Sequence, residues 1–459
     1  MCDTFVLLGG LAASGRTTLA KNSDREPNEA QYLTRVEASD HAPGSMVRCT
    51  YVALPQAAHT HAVLGSRPWW MWGFEHGVNE HGLAIGNEAL FSRLPASTEP
   101  GLLGMDLLRL TLERAATAEE GLAVLTGLLE RHGQSGRTSA TRETSYHNSF
   151  ILADAAEAWI LETAGRHWAA RRVAGWAAIS NLYTIGADYD RISGSAVEFA
   201  TRSGWFDPAA GRPFDFAAAY ADPDLPFLPS CAARLAASRR RVARLAGQGP
   251  LALEDVFSVL RAHGATEPGT GWRPGADGQS LICMHATAPS GVETAASMVA
   301  ELPAATDGPG AAAPAATLWA SLASPCLSSF LPLWLDTGPP ARWTQPEAGG
   351  PDAWWEREAM QRLVERDFGR LAAAPRAILE RLEAETLAAV RRFDGEGGAA
   401  GRRALTERFA ARQDAAVRIV AALTRACAAE LLDPPEADPR GTYLAEVEAE
   451  RRDTGRPAS

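Results

Sequence analysis

The sequence predicts an α+β fold, and three observations carry that prediction. Short apolar runs of strand character come in blocks, stretches of helical periodicity interrupt those blocks, and from about residue 352 the pattern is helical almost throughout. Strands grouped in this way imply α+β layers and disfavour the alternating βαβ units of a dinucleotide-binding fold. The chain has 459 residues, 46% hydrophobic and 22% charged, enough for one large domain plus an appendage.

The first 25 residues read as a β-hairpin: Thr4 to Leu8 is apolar, Ala12 to Arg16 is turn chemistry, and Thr17 to Lys21 resumes the extended pattern. Cys2 then sits at the open end of one strand, beside the segment that carries Lys21, Asn22 and Asp24 on its partner. Extended segments follow near Thr60–Leu64 and Leu83–Leu90. Between Met105 and Glu130, leucines 107, 108 and 112, then 122, 125 and 129, recur at helical spacing, and Thr117-Ala118-Glu119-Glu120 is a capping-box candidate opening the second of two helices. Four short runs from Ser149 to Asn181 read as an antiparallel meander. A helical stretch from about Ala233 to Leu260 precedes strands near Leu281–His285, Thr294–Leu302 and Leu318–Leu322. Gly and Pro cluster over Gly338–Pro351. The expected organisation is thus a main domain over 2–337, a linker over 338–351 and a helical extension over 352–459, broken at Gly395–Gly401 and ending in a loose polar tail.

A net charge of -11 and no basic run argue against nucleic acid or an anionic membrane as partner. No run reaches the ~20 apolar residues of a membrane helix, and the apolar stretch after Asp3 lacks the positive flank of a secretory signal. Six scattered cysteines without a C-x-x-C pair signal neither a disulfide framework nor a zinc site, which fits a reducing, cytoplasmic setting. His76 and His81 lack the helical spacing of a metal pair, so no metal and no cofactor are expected. The expected partner is a small-molecule or peptide substrate, and a homo-oligomer stays open.

Two residues are chemically conspicuous. Removal of the initiator Met1 before a small residue would leave Cys2 bearing both a thiol and a free α-amine, whose pKa of about 7.7–8.0 lies close to that of a thiol at about 8.5, so the amine can serve as base. Of the 44 basic residues only Lys21 is a lysine, which suggests that position 21 resists arginine.

Cys2-Asp3-Thr4, followed by Lys21-Asn22-Ser23-Asp24-Arg25-Glu26 and Asn28-Glu29, resembles the secernin and cysteine-dipeptidase family of N-terminal-nucleophile hydrolases. Further blocks agree in order over about three quarters of the chain: Trp72-Gly73 with the segment from Gly77 to Glu88, His147-Asn148-Ser149-Phe150 with the segment from Trp159 to Thr163, Ile179-Ser180-Asn181, Cys283-Met284-His285, and the segment from Ser324 to Pro332. The resemblance implies a four-layer αββα sandwich, to which the helical pattern after residue 352 adds a C-terminal helical extension, and a distant kinship with penicillin and bile-salt amidases, in which an arginine stands in the place of Lys21. It implies Cys2 as nucleophile, Asp24 as holder of the amine, Lys21 as the charge that favours thiolate, and Asn87 and Asn181 as neutral oxyanion donors. It leaves unassigned the arginine that completes the site. Trp69, Trp70 and Trp72 either wall a pocket or belong to the core; core is favoured for at least two, and Trp72 is the pocket candidate. Glu88 and His285 are polar groups in strand contexts, where a structural hydrogen bond is the commoner role; Glu88 is kept as a substrate-binding candidate.

Three readings follow: a cysteine amidohydrolase cleaving dipeptides or short peptides through a Cys2 acyl-enzyme; an N-acyl amide or penicillin-type amidase or acyltransferase with the same site; and a secernin-like binding or regulatory protein without catalysis.

Overall fold

The computed structural model describes residues 1–263, 282–286, 291–303, 316–347, 352–393 and 395–431. Two antiparallel sheets dominate. The six-stranded sheet runs in the order β14 (Trp176–Ile179), β1 (Cys2–Leu7), β2 (Thr18–Arg25), β16 (Glu293–Glu301), β17 (Thr317–Leu322), β18 (Leu331–Leu333). The eight-stranded sheet runs β15 (Arg191–Ile192), β13 (His167–Arg172), β12 (Ala158–Ala164), β11 (His147–Ala153), β10 (Ala84–Leu90), β9 (His76–Asn79), β8 (Val63–Pro68), β3 (Gln31–Val36). Two small ribbons, β4 (Ser39–Asp40) with β7 (His59–Thr60) and β5 (Met46–Arg48) with β6 (Ala53–Pro55), lie outside them.

The period-two alternation of β1 explains the layering. Val6 points into the core between the sheets, where Leu19 and Met298 meet Ile151, Ile160 and Val78 of the other sheet. Its neighbours Phe5 and Leu7 point the opposite way, onto α5 (Leu228–Ala246) and α6 (Leu253–Leu260). On the far side, Leu107, Leu108, Leu122, Leu125 and Leu129 of α1 (Gly104–Leu112) and α2 (Ala118–His132) cover Ile85, Leu152 and Leu161 of the eight-stranded sheet. The molecule is therefore the four-layer αββα sandwich expected. Thr117 caps α2 by accepting from the Glu120 N–H at 3.2 Å, while the Glu120 carboxylate reaches back to Ala116 N. Smaller helices α3 (Ala196–Arg202) and α4 (Phe216–Tyr220) pack at the sheet edge.

Two expectations need correction. Residues 282–286 form no strand: Ile282 and Cys283 instead donate to the Ala262 carbonyl, closing an irregular turn. The single helix expected from Ala233 to Leu260 is two, α5 and α6, interrupted between them. The segment expected as a linker packs where it is described, because Trp343 is fully buried under the Arg357 guanidinium.

The C-terminal helices α7 (Ala353–Glu365), α8 (Phe368–Leu371), α9 (Ala373–Arg392) and α10 (Gly398–Leu431) are stitched into the sandwich. Trp354 and Trp355 join the inter-sheet core, Glu383 holds Arg261 through two contacts of 2.7 and 2.6 Å, and Gln413 donates to the Phe330 carbonyl. Among the described residues no helix is long and apolar enough to cross a membrane.

Candidate active site

Strand β2 is the local anomaly. All eight of its residues are buried, yet five of them in succession, Lys21 to Arg25, are polar or charged. A central strand covered on both faces tolerates such residues only where each finds partners, so β2 organises the site.

The β1–β2 register sets Cys2 opposite Ser23, which brings the Cys2 sulfur 3.4 Å from the main-chain N–H of Asp24. At the end of β14, Asn181 Oδ1 accepts from the Cys2 nitrogen at 3.0 Å. The Asn181 NH2 group is turned the other way and donates to the Ala89 carbonyl at 2.9 Å. Asn181 thus faces Cys2 with an acceptor, so the oxyanion donor expected at this position is directed away from the sulfur. On the β16 side of Asp24, β2 and β16 carry a register shift between Thr294 and Ala296, and Thr294 Oγ1 donates to Asp24 Oδ1 at 2.7 Å. Asp24 Oδ2 is buried without a partner among the described residues.

Arg234 of α5 also belongs to the site, though the sequence reading did not single it out. It is fully buried and donates to the Cys2 carbonyl at 2.8 Å, to Asn181 Oδ1 and Ser180 Oγ at 3.0 Å each, and to Asp3 Oδ2 at 2.9 and 3.1 Å. One guanidinium therefore fixes the main chain of the N-terminal cysteine and the asparagine that holds its nitrogen.

Lys21 is fully buried, donates to the Asn87 carbonyl and lies 3.9 Å from Glu88 Oε1. Burial favours its neutral form, but Cys2, Glu88 and Glu75 outweigh it and push the pKa up to about 12, so the ammonium persists. Burial pushes the Cys2 thiol up, and Lys21 is the largest influence pulling it back. The slot is narrow, since a Cβ at Gly86 would lie 2.8 Å from Lys21 Cδ. That closeness gives a physical reason for a lysine in a chain that otherwise uses arginine.

Cys2 opens on a cavity of about 500 Å³ lined by Asp24, Asn87, Glu75, Arg142, Tyr146 and Val292, among others. The Asn87 amide satisfies its neighbours best with its NH2 group toward Glu75, 3.0 Å from Oε2. In the cavity wall, Arg25 pairs with Glu29, Glu75 and Tyr146. Met1 also lines this cavity, its amino group 3.3 Å from the Asp24 carbonyl.

Five of the seven expected residues, Cys2, Lys21, Asp24, Asn87 and Asn181, converge. Of these, Cys2, Asp24 and Asn87 line the cavity and Lys21 and Asn181 stand behind them, whereas the other two expected residues lie elsewhere. Trp72 is half-buried and packs against the core near α1, with the Arg109 guanidinium 4.0 Å over its ring, away from the cavity. Glu88 is completely buried behind Lys21 and accepts from the Thr4 hydroxyl, which leaves it no face toward a substrate. The sequence reading missed Arg234 and Glu75. A second cluster, His263, Cys283, His285 and Cys326, lies apart from this cavity with its ligand atoms all within 4.8 Å of one another.

Among solved structures, the chain is similar to the conjugated bile acid hydrolase of Clostridium perfringens at 12% identity, covering 70% of this chain and 89% of that one with a TM-score of 0.40. It is also similar to the penicillin V acylase of Agrobacterium tumefaciens at 15% identity, covering 72% and 86% with a TM-score of 0.41. A Caenorhabditis elegans orthologue of N-acylethanolamine-hydrolysing acid amidase matches at 11% identity, covering 65% and 92% with a TM-score of 0.31. The profile of Peptidase family C69 matches residues 3–234, half of the chain, and the chain belongs to that family of amide-bond hydrolases.

Proposed function

We propose that the chain hydrolyses dipeptides or short peptides through an acyl-enzyme on Cys2, once Met1 has been removed. The observation that carries this reading is the pairing of the buried Cys2 sulfur with Lys21 and the Asp24 N–H at the floor of a cavity whose lining bears both signs of charge, Arg25 and Arg142 beside Glu26, Glu75 and Glu143. A dipeptide carries an ammonium and a carboxylate a few ångströms apart, and such a wall suits it better than an apolar acyl chain.

Loss of Met1 converts the Cys2 amide nitrogen into an amine at the spot that Asn181 Oδ1 already marks at 3.0 Å. Arg234 fixes the adjacent carbonyl, so the amine keeps its place. The amine takes the thiol proton, while Lys21 and the Asp24 N–H stabilise the thiolate. The sulfur attacks the scissile carbonyl carbon, the π electrons move onto oxygen, and the Asn87 NH2 group turns from Glu75 to donate to that oxyanion. Collapse breaks the C–N bond, and the ammonium returns its proton to the leaving amine. Water, deprotonated by the same amine, then attacks the thioester and releases the acid and the thiol.

A panel of dipeptides and N-acyl amides, assayed with wild type and Cys2→Ala, tests the reading. Turnover of dipeptides that falls by about 10⁴-fold or more in the variant supports it. Turnover confined to N-acyl amides would move the substrate class, and wild-type rates equal to those of Cys2→Ala would make the protein a binding module.

A further inference from the structure

We propose that His263, Cys283, His285 and Cys326 bind one zinc ion in a closed structural site that braces the active site from behind. The four residues come from separate segments: the turn after α6, the Cys-Met-His step beyond it, and the 3-10 turn Pro325–Leu327 that follows β17. All are buried, with relative exposures of 2%, 0%, 4% and 4% in chain order.

The geometry is that of a coordination shell. His285 Nε2 lies 3.1 Å from His263 Nε2, 3.4 Å from the Cys326 sulfur and 3.7 Å from the Cys283 sulfur. A ring nitrogen has one in-plane proton or lone pair, so three partners at these distances are not three hydrogen bonds to one atom. They are the edges of a polyhedron. With Zn–N near 2.0–2.1 Å and Zn–S near 2.3 Å, a tetrahedron has edges of about 3.3 Å between nitrogens and about 3.5 Å between nitrogen and sulfur. The observed nitrogen–sulfur separations of 3.4 and 3.7 Å bracket the second value, and the nitrogen–nitrogen separation of 3.1 Å falls just below the first.

The surroundings fit as well. His285 Nδ1 hydrogen-bonds Glu365 of α7, which in turn accepts from Gln361 at 3.1 Å; a metal-bound histidine has this kind of carboxylate behind it, fixing the tautomer and leaving Nε2 for the ion. Two thiolates and two neutral imidazoles around a divalent cation sum to zero charge, which suits a buried site, and four protein ligands leave no open position for water or substrate. The set is therefore structural, even though Cys326, His285 and Glu365 taken alone look like a nucleophile, a base and an orienting acid.

The link to the active site runs through Met284, held between two of the ligands. Its N–H donates to Thr294 Oγ1 at 2.9 Å, its carbonyl accepts from Thr294 N at 3.0 Å, and the same Thr294 hydroxyl donates to Asp24. The zinc would thus fix the loop that sets the Asp24 carboxylate. No metal is expected from the sequence because spacing rules see neighbours, whereas only Cys283 and His285 are neighbours here.

The full-length protein, purified without chelator, should contain about one zinc per chain by elemental mass spectrometry, and cobalt exchanged into it should show the visible bands of a tetrahedral thiolate site. Cys283→Ser and Cys326→Ser should each lose the bound metal and lower the melting temperature, while Cys427→Ser, on the exposed face of α10, should keep both. Should those variants fail to fold, the wild-type cobalt spectrum decides alone. Wild-type protein that holds no metal and takes up neither zinc nor cobalt in titration would overturn the proposal, as would an intact mass two hydrogens light with a Cys283–Cys326 disulfide mapped by peptide analysis. Either result leaves the Cys2 assignment standing, because that rests on turnover.

Discussion

Two cysteine sites lie on either side of Thr294, and they differ in the way that separates a nucleophile from a ligand. Cys326 has a histidine and a carboxylate in line, the constellation by which cysteine hydrolases are usually recognised, but it is sealed from the cavity and shares its histidine with two further ligand atoms. Among the described residues, Cys2 has no histidine in contact. It has a buried ammonium, a main-chain N–H and an opening of about 500 Å³. The contrast teaches that residue identity alone misleads: access to solvent and the number of partners competing for one nitrogen decide which thiol reacts.

The sharpest break in this comparison is the effect of removing each thiol. Cys2→Ala should cost about 10⁴-fold or more in turnover with little change in melting temperature, whereas Cys326→Ser should act first on stability; kinetics and thermal melts on both variants check it. Next in size, Asn87→Ala should lower kcat by about 10²–10³-fold if its NH2 group meets the oxyanion; a loss confined to KM would make it a substrate-binding residue. Lys21→Gln removes the main influence that holds the Cys2 thiol down, so the thiol rises and the basic shift of the kcat/KM profile should be about 1–3 pH units. Lys21→Arg keeps the charge but not the fit beside Gly86, and should lower turnover without that shift.

The smallest effect concerns pH and stability. Burial pushes the Glu88 carboxyl up to about 8, against the pull of Lys21, and that of Asp24 up to about 7. Their unfolded values are near 4, so between about pH 4 and 8 the folded state holds more protons than the unfolded chain. Stability from these groups is then full at low pH and is lost as pH rises toward their folded values. Melting temperatures across that range should fall less steeply for Glu88→Gln than for wild type; parallel curves would contradict the assignment.

How much was legible in the sequence follows the same physics. The hairpin of β1 and β2, the strand Ala84–Leu90 and the helix pair α1 and α2 were readable because their apolar residues repeat at two or 3.6 and Thr117 caps where a cap was expected. Cys2 and Lys21 stand out as chemically odd and Asp24 through the resemblance, and the pairing of β1 with β2 sets the three close together. Arg234 was not, since nothing separates it from the other arginines of α5 until packing buries it against Asp3. Trp72 misled because an aromatic beside a motif is as often core as wall. The run ending at His285 misled because its apolar residues read as a strand, while packing and the neighbouring cluster hold it in an irregular turn.

The most direct test of the central claim is to block and then release the Cys2 amine. A chain carrying a cleavable N-terminal extension, in which Cys2 keeps its thiol but has an amide in place of its amine, should fold and bind but not turn over substrate. Specific cleavage before Cys2, followed by intact mass, should restore full activity in step with the fraction of chains that begin at Cys2. Full turnover by the uncleaved chain, or by a chain whose mass retains Met1, would contradict the account and leave the amine with no part in catalysis.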